Sequence, residues 1–408
     1  MTLHLAARHP RSPGPVGGPT ASVPPHPAIA RPPSGARPWR VAIVTESFAP
    51  SVNGVARSVG HVLSQLQRYD CDVLVVAPGP PHPDDGRVPV VRMPSIPLPL
   101  CPDFPLGVPT PLLRAALARF VPDVVHLASP IAIGARGAAV ARDLGIPIVA
   151  IYQTNVAGFA EQYGLDRSAR PLWRWLRRIH NTADRTLAPS TSAVATLRRH
   201  GVLRVHSWPR GVDTHTFHPR HRRRPATTDV TPVRVGYVGR LSAEKRVDRL
   251  AALRDLPGIE LTVIGDGAER AALQARLPWA RFTGQLSGRE LSQAYADLDI
   301  FVHTGTHETF CQAVQEALAS GVPVVAPAAG GPLDLVVPGR NGLLWDPRDV
   351  GSLRAAVVAL AADAPLRASL GRAAHHDVQH RTWDRIGDEL VTHYLEVLRR
   401  PQPHRLAA

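Results

Sequence analysis

The feature that most constrains the fold is an alternation of short apolar runs with helical stretches, which runs along half of the chain and then begins again. Segments of helical periodicity, such as 56–67, 131–143 and 168–182, separate the apolar runs. The runs lie at 41–45, 73–77, 88–92, 123–127, 147–151, 185–188, 204–207, 233–240, 260–264, 299–303 and 322–326. Such alternation predicts parallel strands with helices on both faces. The chain is therefore predicted to be α/β, with two doubly wound domains in tandem.

Breaks in this pattern predict the domain boundaries. Residues 1–38 hold ten prolines and no acidic residue, so they cannot bury a core and are expected to form a disordered tail. The first domain is expected at 39–210 and the second at 233–380, with 211–232 as a linker rich in prolines, threonines and charges. Residues 381–408 contain a final amphipathic helix with no strand after it.

The charge of the chain is uneven. The net charge is +14, of which residues 39–210 contribute +8 and residues 211–408 only +2. A basic surface attracts nucleic acid or an anionic membrane. A nucleic-acid-binding protein is thus one alternative, but no nucleic-acid-binding module is evident in the sequence.

The cysteines and the lack of long apolar runs indicate a compartment. Cys71, Cys101 and Cys311 are odd in number and far apart, so they form neither a disulfide framework nor a zinc spacing. No apolar run approaches membrane-spanning length, and the first residues lack a hydrophobic signal core. These features predict a cytoplasmic protein.

The segment GRLSAEKR, 239–246, contains Lys245, the one lysine among 47 basic residues. It follows a predicted strand, and ligands of doubly wound sheets bind beyond the carboxyl ends of the strands. Arg240 and Lys245 beside a helix N-terminus favour an anion. A solvated turn is the alternative. A narrow phosphate site would prefer lysine to the wider guanidinium of arginine.

A second segment, HTGTHETFCQAVQEALASGVPVVAP, also follows a predicted strand. Thr306 or Thr309 is expected to cap its helix. Glu308 and Glu316, eight positions apart, are expected near one helix face, where carboxylates accept hydrogen bonds from sugar or ribose hydroxyls. The amides expected to point from the helix N-terminus towards a phosphate belong to Phe310, Cys311 and Gln312.

Two features of the first domain add candidates. Asn53 and Gly54, in the loop after the first strand, allow a close backbone approach to a ligand. His126 is expected at a strand end in PDVVHLASP, where a histidine is either structural or catalytic.

Together, GRLSAEKR, HETFCQAVQEALASGVPVV and SVNGV resemble glycosyltransferase family 4, over essentially residues 40–400. The resemblance implies a GT-B fold, in which two Rossmann-like domains face a central cleft and the C-terminal helix crosses back to the first domain. It also implies retention of the anomeric configuration, usually described as attack on the same face while the leaving phosphate helps to deprotonate the acceptor. A GT-B epimerase or phosphorylase would share this architecture.

The resemblance assigns roles to the candidates. Arg240 and Lys245 would neutralise the leaving nucleoside diphosphate, with no metal or other cofactor. Glu308 would contact the donor hexose and Glu316 the ribose, while His126 would contact the sugar near the reacting centre. The other donor-binding residues would be Asn53, Gly54, Phe310, Cys311, Gln312, Asp266 and Gly284.

Three further sequence segments narrow the range of expected substrates. YQTNVAGFAEQYG, GTHETFCQAVQEA and AAGGPLDLV are similar to segments of family members from actinobacteria that use GDP-mannose and act on glycolipids. Tyr152, Gln153 and Thr154 would then lie on the acceptor side. A UDP-sugar donor, glucosyl or sulfoquinovosyl, is the alternative.

Two further segments bear on a lipid acceptor. Segment 167–180 is predicted to place four arginines on one helical face and Leu172, Trp175, Leu176 and Ile179 on the other. This pattern suits an anionic membrane surface or a core helix with a solvated face. Segment 93–109 is predicted to be a long apolar loop that covers a lipid or packs against the protein. We expect a protein peripheral to the inner membrane face.

Overall fold

The computed structural model describes residues 37–51, 53–98, 101–154, 166–225 and 232–399. All but the last two residues of the expected tail lie outside these ranges, as do 226–231 of the expected linker.

The first domain is built on a seven-stranded parallel sheet with the order β3-β2-β1-β6-β7-β8-β9. Its central strands are buried, as parallel strands covered on both faces require, while the two edge strands are only partly buried. They are β1 Arg40–Val44, β2 Asp72–Pro78, β3 Val90–Met93, β6 Val124–Leu127, β7 Ile148–Ile151, β8 Arg185–Ala188 and β9 Val205–Ser207. Its helices are α1 Gly54–Arg68, α2 Pro111–Phe120, α3 Ile133–Asp143, α4 Asp166–Thr182 and α5 Thr191–Arg199. A 3-10 turn covers Pro83–Arg87.

The second domain repeats the design with a six-stranded parallel sheet, ordered β12-β11-β10-β13-β14-β15. Its strands are β10 Val233–Val238, β11 Ile259–Ile264, β12 Arg281–Gly284, β13 Ile300–Val302, β14 Val324–Pro327 and β15 Gly342–Trp345. Its helices are α6 Arg270–Arg276, α7 Gly288–Ala296, α8 Gln312–Ala319, α9 Val350–Ala361 and α10 Ala364–Val378. Short 3-10 segments cover Pro219–His221, Ala243–Lys245, Val247–Leu253 and Gly331–Asp334.

These two sheets confirm the predicted α/β class with doubly wound domains. Segment 93–109, by contrast, is not the loop that was predicted. It contains β4 Ser95–Leu98 and β5 Cys101–Gly107, which pair antiparallel. The prolines of this segment favoured a loop in the sequence analysis, because proline lacks the N–H that a strand donates. Proline is nevertheless tolerated in a strand that pairs with only one neighbour.

The last helix, α11 Trp383–Leu398, crosses back to the first domain as expected. Ile386, Leu390, Tyr394 and Val397 belong to the same buried cluster as β1, β2 and α1. Trp208, just after β9, donates its indole N–H to the carbonyl of Ile386 at 2.9 Å. This helix therefore completes the core of the first domain, although the whole second domain lies between them in the sequence.

Contacts at the carboxyl edges join the domains. Thr309, beyond β13, donates its hydroxyl to the carbonyl of Gln153, beyond β7, at 2.8 Å. The cleft thus lies where both sheets end, as ligand binding to this type of sheet requires.

Among the described helices, none combines the length and the apolar character needed to cross a bilayer.

Candidate functional site

The loop after β10 places the two predicted cations differently. Arg240 is exposed, and its carbonyl accepts from the Tyr237 hydroxyl at 3.2 Å. Lys245 ends a 3-10 turn, and its ammonium donates to Oε1 of Glu308 at 2.5 Å. Burial lowers the pKa of Lys245, but the attraction of Glu308 more than offsets this, so the pKa lies above its ordinary value. Lys245 is therefore a fixed cation at the sheet edge.

Glu308 is the centre of a compact polar cluster. Burial raises its pKa, yet Lys245 and His303 outweigh burial and hold the pKa well below its usual range. Nε2 of His303 lies 3.2 Å from the same Oε1. Glu308 is thus an ionised carboxylate at neutral pH, which can accept hydrogen bonds from ligand hydroxyls.

The loops after β10, β11 and β12 lie close together at the carboxyl edge of the second sheet, and glycines allow this close approach. Gly265 has φ +140, and a Cβ there would meet the carbonyl oxygen of Gly239 at 1.9 Å. Gly267 has φ +155 and abuts the carbonyl of Leu241. The predicted donor residue Asp266 lies between them, exposed, with Oδ2 2.5 Å from Arg270. Gly284, at the end of β12, bridges back to Gly265.

The helix that carries Glu316 begins later than predicted. α8 starts at Gln312, and Cys311 precedes it with φ +84 and no side-chain cap. The expectation that Thr306 or Thr309 caps the helix is therefore wrong, because Thr309 bonds the first domain instead. Glu308 lies before the helix, so the two glutamates do not share a helical face.

The residues whose amides were predicted to face a phosphate lie at the N-terminus of α8, and the binding of a phosphate by those amides stays a prediction. Phe310 and Cys311 are buried in the core beside α8 rather than forming its first turn. Gln312 opens the helix, and its side chain donates to the carbonyl of Gly211 at 2.9 Å. The terminus is thus tied to the segment that joins the domains.

Glu316 lies inside α8 and faces the junction of the domains. Its Oε2 accepts from the Tyr295 hydroxyl at 3.1 Å, and its Oε1 lies 3.5 Å from a guanidinium nitrogen of Arg57 on α1. Burial raises its pKa to about 7, although Arg57 and Tyr295 act in the opposite direction. Sequence reasoning missed both partners. Arg57, one turn beyond Asn53 on a helix that begins in the candidate loop, was detectable from that spacing.

The first loop is organised as a helix start. The Asn53 side chain accepts from the amides of Val55 and Ala56 at 3.0 Å, which satisfies two donors of α1. Gly54 is the exposed first residue of the helix. The amide end of α1 therefore opens towards the cleft, where it favours negative charge.

His126 needs a correction. It is 1% exposed, lies one residue before the end of β6, and its Nδ1 lies 2.7 Å from the hydroxyl of Tyr394 on α11. Burial, with the nearby charge of Arg210, lowers its pKa to about 3, so the ring is neutral. So buried a ring has no surface for a sugar, and its role is to hold the crossing helix. The strand-end position alone did not reveal this.

The acceptor-side residues divide. Tyr152 is buried among Trp173 and His180 and presents no surface to the cleft, contrary to prediction. Gln153 lies at the junction, where it donates to the carbonyl of Ala128 and accepts from Arg210. Thr154 is half-buried beside it, and the rest of that segment, 155–165, lies outside the described residues.

A buried carboxylate that the sequence did not single out supports this side of the cleft. Glu46, just beyond β1, accepts from the amides of Ala132, Gly134 and Gly107. Burial raises its pKa despite these amides. It thereby ties the 95–107 hairpin and the start of α3 to β1.

Ligand atoms of His303, Glu308 and Cys311 lie within 4.8 Å of one another, a spacing that suits a metal ion. The Lys245 ammonium already supplies a cation to Glu308 at 2.5 Å. A divalent ion there would have to displace that ammonium, so the donor set fits a lysine–carboxylate pair better than a metal centre.

α4 combines a core face with a basic face. Leu176 and Ile179 are buried and Arg170, Arg174, Arg177 and Arg178 are exposed, as predicted. Trp175 is different, because it is exposed among the arginines while Trp173 takes the buried position.

Comparisons with known proteins agree with this geometry. Sequence models described as Glycosyltransferase Family 4 and as Glycosyl transferases group 1 match residues 52–216 and 220–377. A GDP-mannose-dependent alpha-mannosyltransferase of Mycolicibacterium smegmatis is 52% identical, over 88% of this chain and 98% of that protein. A protein of the same name from Mycobacterium tuberculosis is 49% identical, over 87% and 96%. The Anabaena HepE crystal structure with UDP superposes with a TM-score of 0.71 at 19% identity, covering 88% of this chain and all of that one.

Proposed function

Because this chain belongs to glycosyltransferase family 4, we propose that it is a retaining mannosyltransferase, which moves an α-mannosyl residue from GDP-mannose to a lipid-linked acceptor at the inner membrane face. The observation that carries the proposal is the ion pair between Lys245 and Glu308 at the edge of the second sheet.

This pair provides opposite charges for the two parts of a nucleotide sugar. The ammonium has three N–H groups, and Glu308 takes one, which leaves two for phosphate oxygens. Arg240, exposed five positions earlier, adds a second cation. Both would stabilise the charge that develops on the diphosphate as it leaves, so we propose that no metal takes part. Glu308 would bind a hydroxyl of the hexose and Glu316 those of the ribose.

In the proposed reaction, an acceptor hydroxyl oxygen bonds to the anomeric carbon while the bond from that carbon to the diphosphate oxygen breaks. The hydroxyl proton passes to the leaving phosphate, on the same face of the sugar. The hexose then keeps its configuration.

α4 supports a membrane-associated acceptor. Its arginines and the exposed Trp175 share one surface, which combines attraction to anionic lipid with an aromatic anchor at the interface. The first domain also holds most of the net positive charge of the folded part of the chain.

The proposal is tested by incubating the protein with radiolabelled GDP-mannose and diacylglycerol-linked hexoses in vesicles with or without phosphatidylglycerol. Label in the lipid extract is expected, more with the anionic vesicles and roughly two to three orders of magnitude less with Lys245→Ala. Label transferred from a UDP-sugar instead would contradict the donor assignment. Vesicle binding is compared between wild type and the double variant Arg174→Glu/Arg178→Glu. Arg348→Glu is the control, because it reverses the charge of an exposed arginine in the second domain. Equal binding by wild type and the double variant would contradict the membrane assignment.

A further inference from the structure

Arg57 and Glu316 form an ion pair between the two domains. Arg57 lies on the first full turn of α1, and a guanidinium nitrogen is 3.5 Å from Oε1 of Glu316 on α8. The Arg57 side chain is 53% exposed, whereas that of Glu316 is 7% exposed. The first domain thus reaches the proposed ribose-binding carboxylate with a solvent-accessible cation.

This pairing occupies Glu316. Tyr295 engages Oε2 at 3.1 Å, and Arg57 lies against Oε1. A ligand with two neighbouring hydroxyls would need the oxygen that faces Arg57. Binding of the ribose and the contact with Arg57 therefore compete.

The contact of Arg57 with Glu316 is weak enough for the guanidinium to move to another partner. Within the described part of the chain, Glu316 is its one ion-pair partner. A half-exposed ion pair contributes little, because water screens it and the long side chain loses freedom. An oxyanion near the amide end of α1 would attract the released guanidinium more strongly, since it offers charge-assisted, two-pronged hydrogen bonds.

We propose that Arg57 is a donor-binding residue supplied by the first domain, which exchanges Glu316 for the donor's diphosphate when the ribose hydroxyls take Glu316. This inference rests on the proposed use of a nucleoside diphosphate sugar. It makes donor binding draw on both domains.

The test compares GDP with guanosine, which keeps the ribose and lacks the diphosphate. Calorimetry measures both ligands on wild type, Arg57→Gln and Arg57→Lys. The matched control is Arg68→Gln, at the far end of the same helix, where a side chain 47% exposed pairs with Asp384 at 2.8 Å. Circular dichroism checks the fold of each variant, and Arg57→Lys gives the comparison if Arg57→Gln does not fold.

Arg57→Gln is expected to bind GDP at least about tenfold more weakly. At a pH well above 7, where Glu316 is ionised even without the cation that lowers its pKa, the variant is expected to bind guanosine as well as or better than wild type, because Glu316 loses a competitor. Arg57→Lys should recover part of the GDP affinity, and Arg68→Gln should match wild type. Equal losses for GDP and guanosine, or no loss for either, would overturn the role of Arg57. Wild type that binds neither GDP nor GDP-mannose would overturn the proposed donor itself.

Discussion

The ammonium of Lys245 lies 2.5 Å from Oε1 of Glu308, although 63 positions separate the two residues. They meet because each follows a strand of the same sheet, β10 and β13, which are neighbours. The one lysine of the chain is therefore held where parallel strands present their carboxyl ends.

Replacing Lys245 tests this arrangement. Lys245→Ala would leave the Glu308 carboxylate without its lysine partner and remove the proposed diphosphate contact, so we expect kcat to fall by roughly two to three orders of magnitude. Lys245→Arg is also expected to be poor, because the wide planar guanidinium would have to fit where the compact ammonium now lies 2.5 Å from Glu308. Steady-state turnover measures both. Wild-type turnover by Lys245→Arg would show that the space is not narrow.

The pH dependence of donor binding tests Glu316. Burial places its pKa at about 7, above the ordinary 4.5, with Arg57 and Tyr295 opposing the shift. Between pH 4.5 and about 7, the donor-free folded protein therefore binds a proton at Glu316 that the unfolded chain has lost. The contribution of this proton to the free energy of unfolding is full below pH 4.5 and is lost as the pH rises through 7. Ribose hydroxyls need the ionised form, so GDP affinity should increase roughly tenfold across the two pH units centred on the pKa. Titration calorimetry of wild type and Glu316→Gln checks this, and an unchanged pH profile in the variant would contradict it.

Tyr394→Phe tests the structural role of His126. The change removes the hydroxyl 2.7 Å from Nδ1 and leaves a buried ring nitrogen without that partner. We expect a loss of about 1–3 kcal/mol in the free energy of unfolding, measured in urea. The kcat of the folded fraction should stay near wild type. A large fall in the kcat of Tyr394→Phe with unchanged stability would contradict the structural role and indicate that His126 takes part in catalysis.

Gly265→Ala tests the packing of the donor loops. Its Cβ would lie 1.9 Å from the Gly239 carbonyl oxygen, so the loop bearing Arg240 would have to move. We expect more than about 2 kcal/mol of destabilisation and weakened GDP binding. Gly258→Ala is the control, since it has φ +73 but meets nothing within 4 Å. Equal effects of the two changes would mean that backbone strain, and not the contact, is responsible.

The sequence predicted the sheets better than the site. Buried parallel strands are continuous apolar runs, so eleven of them were recognisable. β12 and β15 were missed, because RFTG is partly polar and GLLW is short. Lys245, Glu308 and Glu316 were found because each follows a strand or lies on the helix after one. The burial of His126 and Tyr152 was not predictable from their strands, since α11 and α4 supply the residues that cover them.

The most direct test of the central claim is the affinity of the donor for wild type and Lys245→Ala. Calorimetry would compare GDP-mannose with UDP-glucose and UDP-sulfoquinovose. A preference of wild type for GDP-mannose that Lys245→Ala abolishes is the predicted result. A preference for either UDP-sugar, or GDP-mannose binding that Lys245→Ala leaves unchanged, would contradict it.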